Sequence, residues 1–111
     1  MPESAVIDER NEFVYISNVN VYAKDGNGFI SRVRTDGTDL NLQWLTGLDS
    51  PTGLAIHDGA LFFADYDQLI EVDIASAQII NRYPSPDDNP ALNDVAIASD
   101  GTVYVSGSGS R

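Results

Sequence analysis

The stretch "TGLAIHDGALFFAD", residues 52–65, contains the pattern that decides the fold. A short apolar run leads into "HDG", and a second run centred on aromatic residues follows it. Runs of this length and composition are typical of β-strands, and an Asp-Gly pair between two of them indicates a hairpin, because Gly readily takes the positive φ of a tight turn. The stretch therefore predicts two antiparallel strands joined by a short turn.

The same pattern occurs three times in the chain. Matching segments begin at Glu3 ("ESAVIDERNEFVYISN"), Thr52 and Asn93 ("NDVAIASDGTVYVSG"), so their starts lie 49 and 41 residues apart. Two further strand-like runs follow each of the first two segments: "GFISRVR" and "TDLNLQWLTG", then "QLIEVDI" and "AQIINRY". Four strands in roughly 40 residues are typical of one propeller blade. The sequence thus predicts an all-β fold, a partial β-propeller with four-stranded antiparallel blades in an open arc of two to three blades.

This repeat divides a single domain, residues 1–111, into a first blade (1–47), a second blade (48–86) and the first half of a third (87–111). The third repeat stops after two strands, so we expect the chain to be a fragment of a longer propeller. An open arc exposes apolar faces at both ends, and self-association through these faces is expected. The stretch "PSPDDNP" predicts a loop, and the tail "GSGSR" fits either a native loop or an artificial extension.

An alternative reading concerns "AKDGNGFISRVR", residues 23–34, which looks like an EF-hand calcium loop. Asp25, Asn27 and Gly28 match template positions, but Ala23 stands where the first carboxylate belongs and Arg34 where the closing Glu belongs. An EF-hand loop also lies between two helices, whereas both flanks of this stretch have the two-residue period of strands. The sequence favours a connection between the second and third strands of a blade.

Composition limits the classes of function. The formal net charge of −11 argues against binding to nucleic acid or anionic membranes, because an acidic surface repels both. The chain has no cysteine, so disulfides and thiolate metal sites are excluded. No apolar run is long enough to span a bilayer, and the first ten residues do not read as a signal peptide, so the compartment is not indicated.

Two motifs, "KDGNGFIS" and "LNDVAIASDGTVYVS", together with the repeat, give the chain a family resemblance. It resembles the senescence-marker-protein/gluconolactonase propellers and, more loosely, NHL-repeat proteins, over nearly its whole length. The resemblance implies a six-bladed propeller with a divalent metal, calcium or zinc, on its axis, and a metal-dependent lactonase acting on a small-molecule lactone. It also implies a family whose members are often periplasmic or secreted. NHL-type relatives imply a non-catalytic alternative, a scaffold or protein-binding segment.

Three residues carry the site that this resemblance implies. Glu3, in "PES", matches the family's glutamate metal ligand, and Asn93, in "LND", matches an asparagine that lines the same central site. Thr52 stands where ligand-bearing members have asparagine, which leaves it a substrate contact at most. The catalytic aspartate of the family would lie in a later blade, so no catalytic residue is identified and the isolated chain is expected to be inactive.

For the other residues with reactive or aromatic side chains, a structural or solvent-facing position is the simpler prediction. His57 is the only histidine and precedes a turn, so we expect it to face solvent. Asp65 and Asp67 flank Tyr66 and could do acid–base chemistry as a pair, but a loop position between two strands is the simpler expectation. Trp44 is expected to pack in the core or between blades.

Overall fold

The computed structural model describes residues 2–19, 26–85 and 92–107, which form ten β-strands. Within these ranges no helix is present, and accordingly none is long and apolar enough to cross a membrane. The strands, in chain order, are β1 (Pro2–Asp8), β2 (Phe13–Asn18), β3 (Gly28–Arg34), β4 (Asn41–Leu48), β5 (Pro51–His57), β6 (Ala60–Asp65), β7 (Gln68–Asp73), β8 (Gln78–Pro84), β9 (Leu92–Ile97) and β10 (Val103–Gly107).

The strands form three antiparallel sheets, each made of strands consecutive in the chain. Sheet 1 has the order β1-β2-β3-β4, sheet 2 the order β5-β6-β7-β8, and sheet 3 pairs β9 with β10. Tight turns join some of the neighbouring strands, as at Asp58 and Gly59, whose φ values of 50° and 76° suit the two-residue turn between β5 and β6. The prediction of an all-β chain with four-stranded antiparallel sheets is confirmed.

The first strands of the three sheets lie side by side, because β5 packs between β1 and β9. The core lies mainly where sheets 1 and 2 meet, and its largest fully buried side chains include Tyr15, Ile30, Leu61 and Phe63. Trp44, half-buried, packs against this core with its ring edge-on to Tyr15 at 4.9 Å between centroids. The expectation that Trp44 serves packing is confirmed.

Two other predictions about local structure can be compared with the strands. The calcium-loop look-alike, residues 23–34, follows β2, and its second half is β3 itself, so this part of the chain is a strand, as the two-residue period indicated, while residues 23–25 lie outside the described residues. The predicted loop "PSPDDNP" lies mostly outside them as well, and so does the tail beyond Gly107. The division of the chain into blades stays a prediction.

Candidate functional site

Each of the three sheets has a β-bulge at the start of its first strand. In β1, Pro2 pairs with Asn18 and Ser4 with Ser17, so Glu3 is an extra residue. In β9, Leu92 pairs with Gly107 and Asp94 with Ser106, which leaves Asn93 extra in the same way. In β5, the residues 52 and 53 together face the single residue 64. The three residues that the sequence repeat aligns therefore share one backbone irregularity.

The three bulges are packed against one another across the sheets. The Ser17 hydroxyl lies 2.9 Å from the Thr52 carbonyl oxygen and 3.4 Å from the Ser4 carbonyl oxygen. Its hydrogen bond to Thr52 joins sheet 1 to the start of β5 in sheet 2. The Thr52 hydroxyl donates to the Leu92 carbonyl oxygen at 3.3 Å and thereby joins sheet 2 to sheet 3. A Cβ atom on Gly53 would lie 2.7 Å from the Asn93 carbonyl oxygen. The site is thus a continuous row along the starts of β1, β5 and β9.

The side chains in this row differ in what they offer to a ligand. Glu3 is exposed and Asn93 half-buried, and both carry oxygen donors of the kind that a hard cation such as calcium prefers. Thr52 is 2% exposed and its hydroxyl is used between the sheets, so its role as a substrate contact stays a prediction. The described residues contain no group of three or more His, Cys, Asp or Glu side chains that could hold a metal. Since calcium takes six to eight oxygens, Glu3 and Asn93 fit only part of a cation site.

Asp65 lies differently from the loop position that its sequence context suggested. It is the last residue of β6 and is 1% exposed, whereas Tyr66 and Asp67 form the turn that follows. Its Oδ1 accepts hydrogen bonds from the backbone N–H groups of Asp49 (2.9 Å) and Ser50 (2.7 Å). Burial raises its pKa to about 6, although these two N–H donors act in the opposite direction. Asp65 therefore fixes the link between sheets 1 and 2, next to the central bulge.

The prediction that His57 is a solvent-facing turn residue is wrong, because His57 is the last residue of β5 and is half-buried. Its Nε2 atom lies 3.4 Å from Asp58 Oδ2 and would lie 3.4 Å from a Cβ atom on Gly101, in the β9–β10 turn. His57 thus sits between the turns of sheets 2 and 3, at the opposite end of β5 from Thr52.

We expect Ser17→Ala to lower the free energy of unfolding by about 1 kcal/mol, because the substitution removes a buried hydroxyl that joins two strand starts. Ser106 aligns with Ser17 in the repeat but is exposed in sheet 3, so Ser106→Ala should change stability by less than about 0.5 kcal/mol. Urea unfolding followed by circular dichroism measures both. Equal losses for the two variants would contradict a bridging role for Ser17.

The chain matches no protein-family model and no curated protein sequence at a significant level.

Proposed function

We propose that this chain is a segment of a β-propeller of the senescence-marker-protein/gluconolactonase type, with β1, β5 and β9 as the strands that face the axis. The observation that carries the proposal is the row of equivalent bulges at Glu3, Thr52 and Asn93. Bulges are frequent beside active sites because the extra residue redirects a side chain out of the strand's alternation. Three of them in contact at the same repeat position indicate a common surface to which each sheet contributes.

In this proposal the Glu3 carboxylate and the Asn93 side-chain oxygen bind a divalent metal, calcium by preference and zinc as the alternative. When bound, the cation supplies a Lewis acid for the carbonyl of a lactone. The bulges orient the two ligands, and the contacts of Ser17 and Thr52 keep the strand starts together. Further ligands and the catalytic base belong to blades beyond these three sheets, so the isolated chain is a fragment of the hydrolase without activity.

Calcium titration followed by calorimetry tests the metal-binding step without needing activity. Glu3→Gln keeps the shape of the side chain and removes its charge, and we expect it to weaken calcium binding about tenfold or more. Glu9 is exposed in the turn at the other end of β1, so Glu9→Gln is the matched control and should leave the affinity unchanged. Equal affinities for the parent and Glu3→Gln would contradict the proposal.

A second function, a scaffold or protein-binding segment of NHL type, is favoured by apolar side chains on the strands that end sheets 1 and 2. Leu42 on β4 is 57% exposed, and Ile80 and Tyr83 on β8 are 51% and 46% exposed. Strand edges with apolar side chains are common sites of protein association. A discrete oligomer in light scattering that is independent of calcium, with no calcium binding, would favour this function over the hydrolase.

A further inference from the structure

A cleft of about 440 Å³ lies between sheets 1 and 2, at the opposite end of β1 from the bulges. Its lining comes from β2 and β3 on one side and from two turns of sheet 2 on the other. The lining residues are Asn11, Phe13, Tyr15, Arg32, Arg34, Asp58, Gly59, Asp73, Ile74 and Ala75. The cleft shares no residue with the row of bulges, so the proposed function does not account for it.

The sheet 1 wall of the cleft is a platform of aromatic rings and guanidinium groups. Phe13 pairs with Arg34, and Tyr15 with Arg32, so all four side chains lie on one face of the sheet. The Cζ atoms of Arg32 and Arg34 lie 4.2 Å and 4.8 Å from the centroid of the Phe13 ring. Stacking on an aromatic ring leaves the edge of a guanidinium available to a planar carboxylate.

One buried polar atom of this platform lacks an acceptor. Among the described residues, no hydrogen-bond partner is found for Arg32 Nε. The Tyr15 hydroxyl is fully buried beside the Arg32 guanidinium, whose hydrogen bond and charge oppose the rise of the Tyr15 pKa that burial causes. Buried donors are almost always paired, and a carboxylate is the kind of group that pairs with a guanidinium. The Arg34 Nε atom, in contrast, donates to Asp39 Oδ2 at 2.9 Å. Arg32 is therefore the better candidate for a ligand contact.

The opposite wall carries the opposite charge. Asp73 Oδ2 accepts hydrogen bonds from the Ser76 hydroxyl (2.7 Å) and from the Ser76 N–H (3.2 Å), which occupies that oxygen. The Asp58 side chain, in the β5–β6 turn, is 89% exposed and lies 3.4 Å from His57 Nε2. The cleft thus has a cationic wall at Arg32 and an anionic wall that includes Asp58.

We propose that this cleft binds a small zwitterion, with its carboxylate on the Arg32 guanidinium and its ammonium group towards Asp58. A simple anion would meet the field of a protein with net charge −11 and the two aspartates across the cleft, whereas a zwitterion carries no net charge. The hydrocarbon between its charged groups would lie against Phe13 and Ile74, which line the cleft between the two walls. The ligand class is that of amino acids and related amino carboxylates.

Backbone amide NMR of the full chain tests this proposal with ε-aminocaproate and γ-aminobutyrate as probes. We expect at least one probe to shift the signals of Gly59 and Ala75, with a Kd on the order of millimolar because so small a ligand has few contacts. Caproate, which lacks the ammonium group, and hexylammonium, which lacks the carboxylate, should each bind about tenfold more weakly or worse. No saturable shift with either probe would overturn the proposal, and so would caproate binding equal to that of ε-aminocaproate.

Arg32→Gln should abolish binding of the zwitterion, and Arg82→Gln, at an exposed position on β8 away from the cleft, should leave it unchanged. Asp58→Asn provides an independent variant if Arg32→Gln does not fold. Position 58 has φ 50°, which Asn tolerates, and the exposed side chain is not needed for packing. Asp58→Asn is expected to weaken zwitterion binding about tenfold without changing the weak binding of caproate. Unchanged zwitterion binding in Arg32→Gln or in Asp58→Asn would contradict the proposed orientation.

Discussion

Replacing Gly53 with alanine is expected to lower the free energy of unfolding by about 3 kcal/mol, because β5 approaches β9 too closely for a side chain. A Cβ atom at position 53 would lie 2.7 Å from the Asn93 carbonyl oxygen, the Asp94 Cα atom and the Val95 nitrogen. All three are backbone atoms, so no side-chain rotation relieves the contact and sheet 3 would have to move. Urea unfolding followed by far-ultraviolet circular dichroism measures the loss.

Gly47→Ala is the matched control for this substitution. Gly47 has φ 76° and no atom within 4 Å of an added Cβ, so the change strains the backbone without crowding a neighbour. That strain should cost about 1 kcal/mol. Equal losses at positions 47 and 53 would show that the contact between β5 and β9 is looser in solution than in the structure.

The strands and their pairing could be predicted from the sequence because the signals are local. The run "QLIEVDI" alternates buried and half-buried residues in β7 as its two-residue period indicated. The Asp-Gly pair at residues 58 and 59 forms the turn that its composition predicted. Each of these signals depends on neighbours a few residues away, which the sequence contains directly.

The bulges and the position of Asp65 could not be predicted in the same way. A bulge depends on the register between two strands, and the repeat aligned Glu3, Thr52 and Asn93 without indicating that each is an extra residue. Asp65 reads as a turn residue from "ADYDQL", because nothing local shows that the backbone at positions 49 and 50 comes back to it. The cleft likewise depends on how sheet 1 meets the turns of sheet 2. Contacts between sheets are therefore what the sequence alone left open.

Asp65 makes the stability of the link between sheets 1 and 2 depend on pH. Its pKa is raised from 3.8 to about 6, first because burial disfavours the charged carboxylate and second because the Asp49 carboxylate is near. The backbone donors of residues 49 and 50 and the Arg82 guanidinium act in the opposite direction. The pKa of 3.8 applies to the unfolded chain and the pKa of about 6 to the folded protein. At pH values between them, Asp65 therefore binds its proton more tightly in the folded protein than in the unfolded chain. Stability from this group is therefore greatest at low pH and is lost as the pH rises through about 6.

Asp65→Asn is expected to remove this dependence, because the amide oxygen can still accept both N–H groups and cannot ionise. The stability of the parent relative to Asp65→Asn should fall by about 3 kcal/mol between about pH 4 and pH 8. Urea unfolding of both proteins across this range gives the difference. Asp65→Ala, which orphans both N–H groups, should instead be less stable than Asp65→Asn by about 2 kcal/mol or more at every pH. A difference in unfolding free energy between the unsubstituted protein and Asp65→Asn that does not change with pH would contradict this prediction. It would mean that the Asp65 carboxylate ionises at its ordinary pKa and that water reaches the link between sheets 1 and 2.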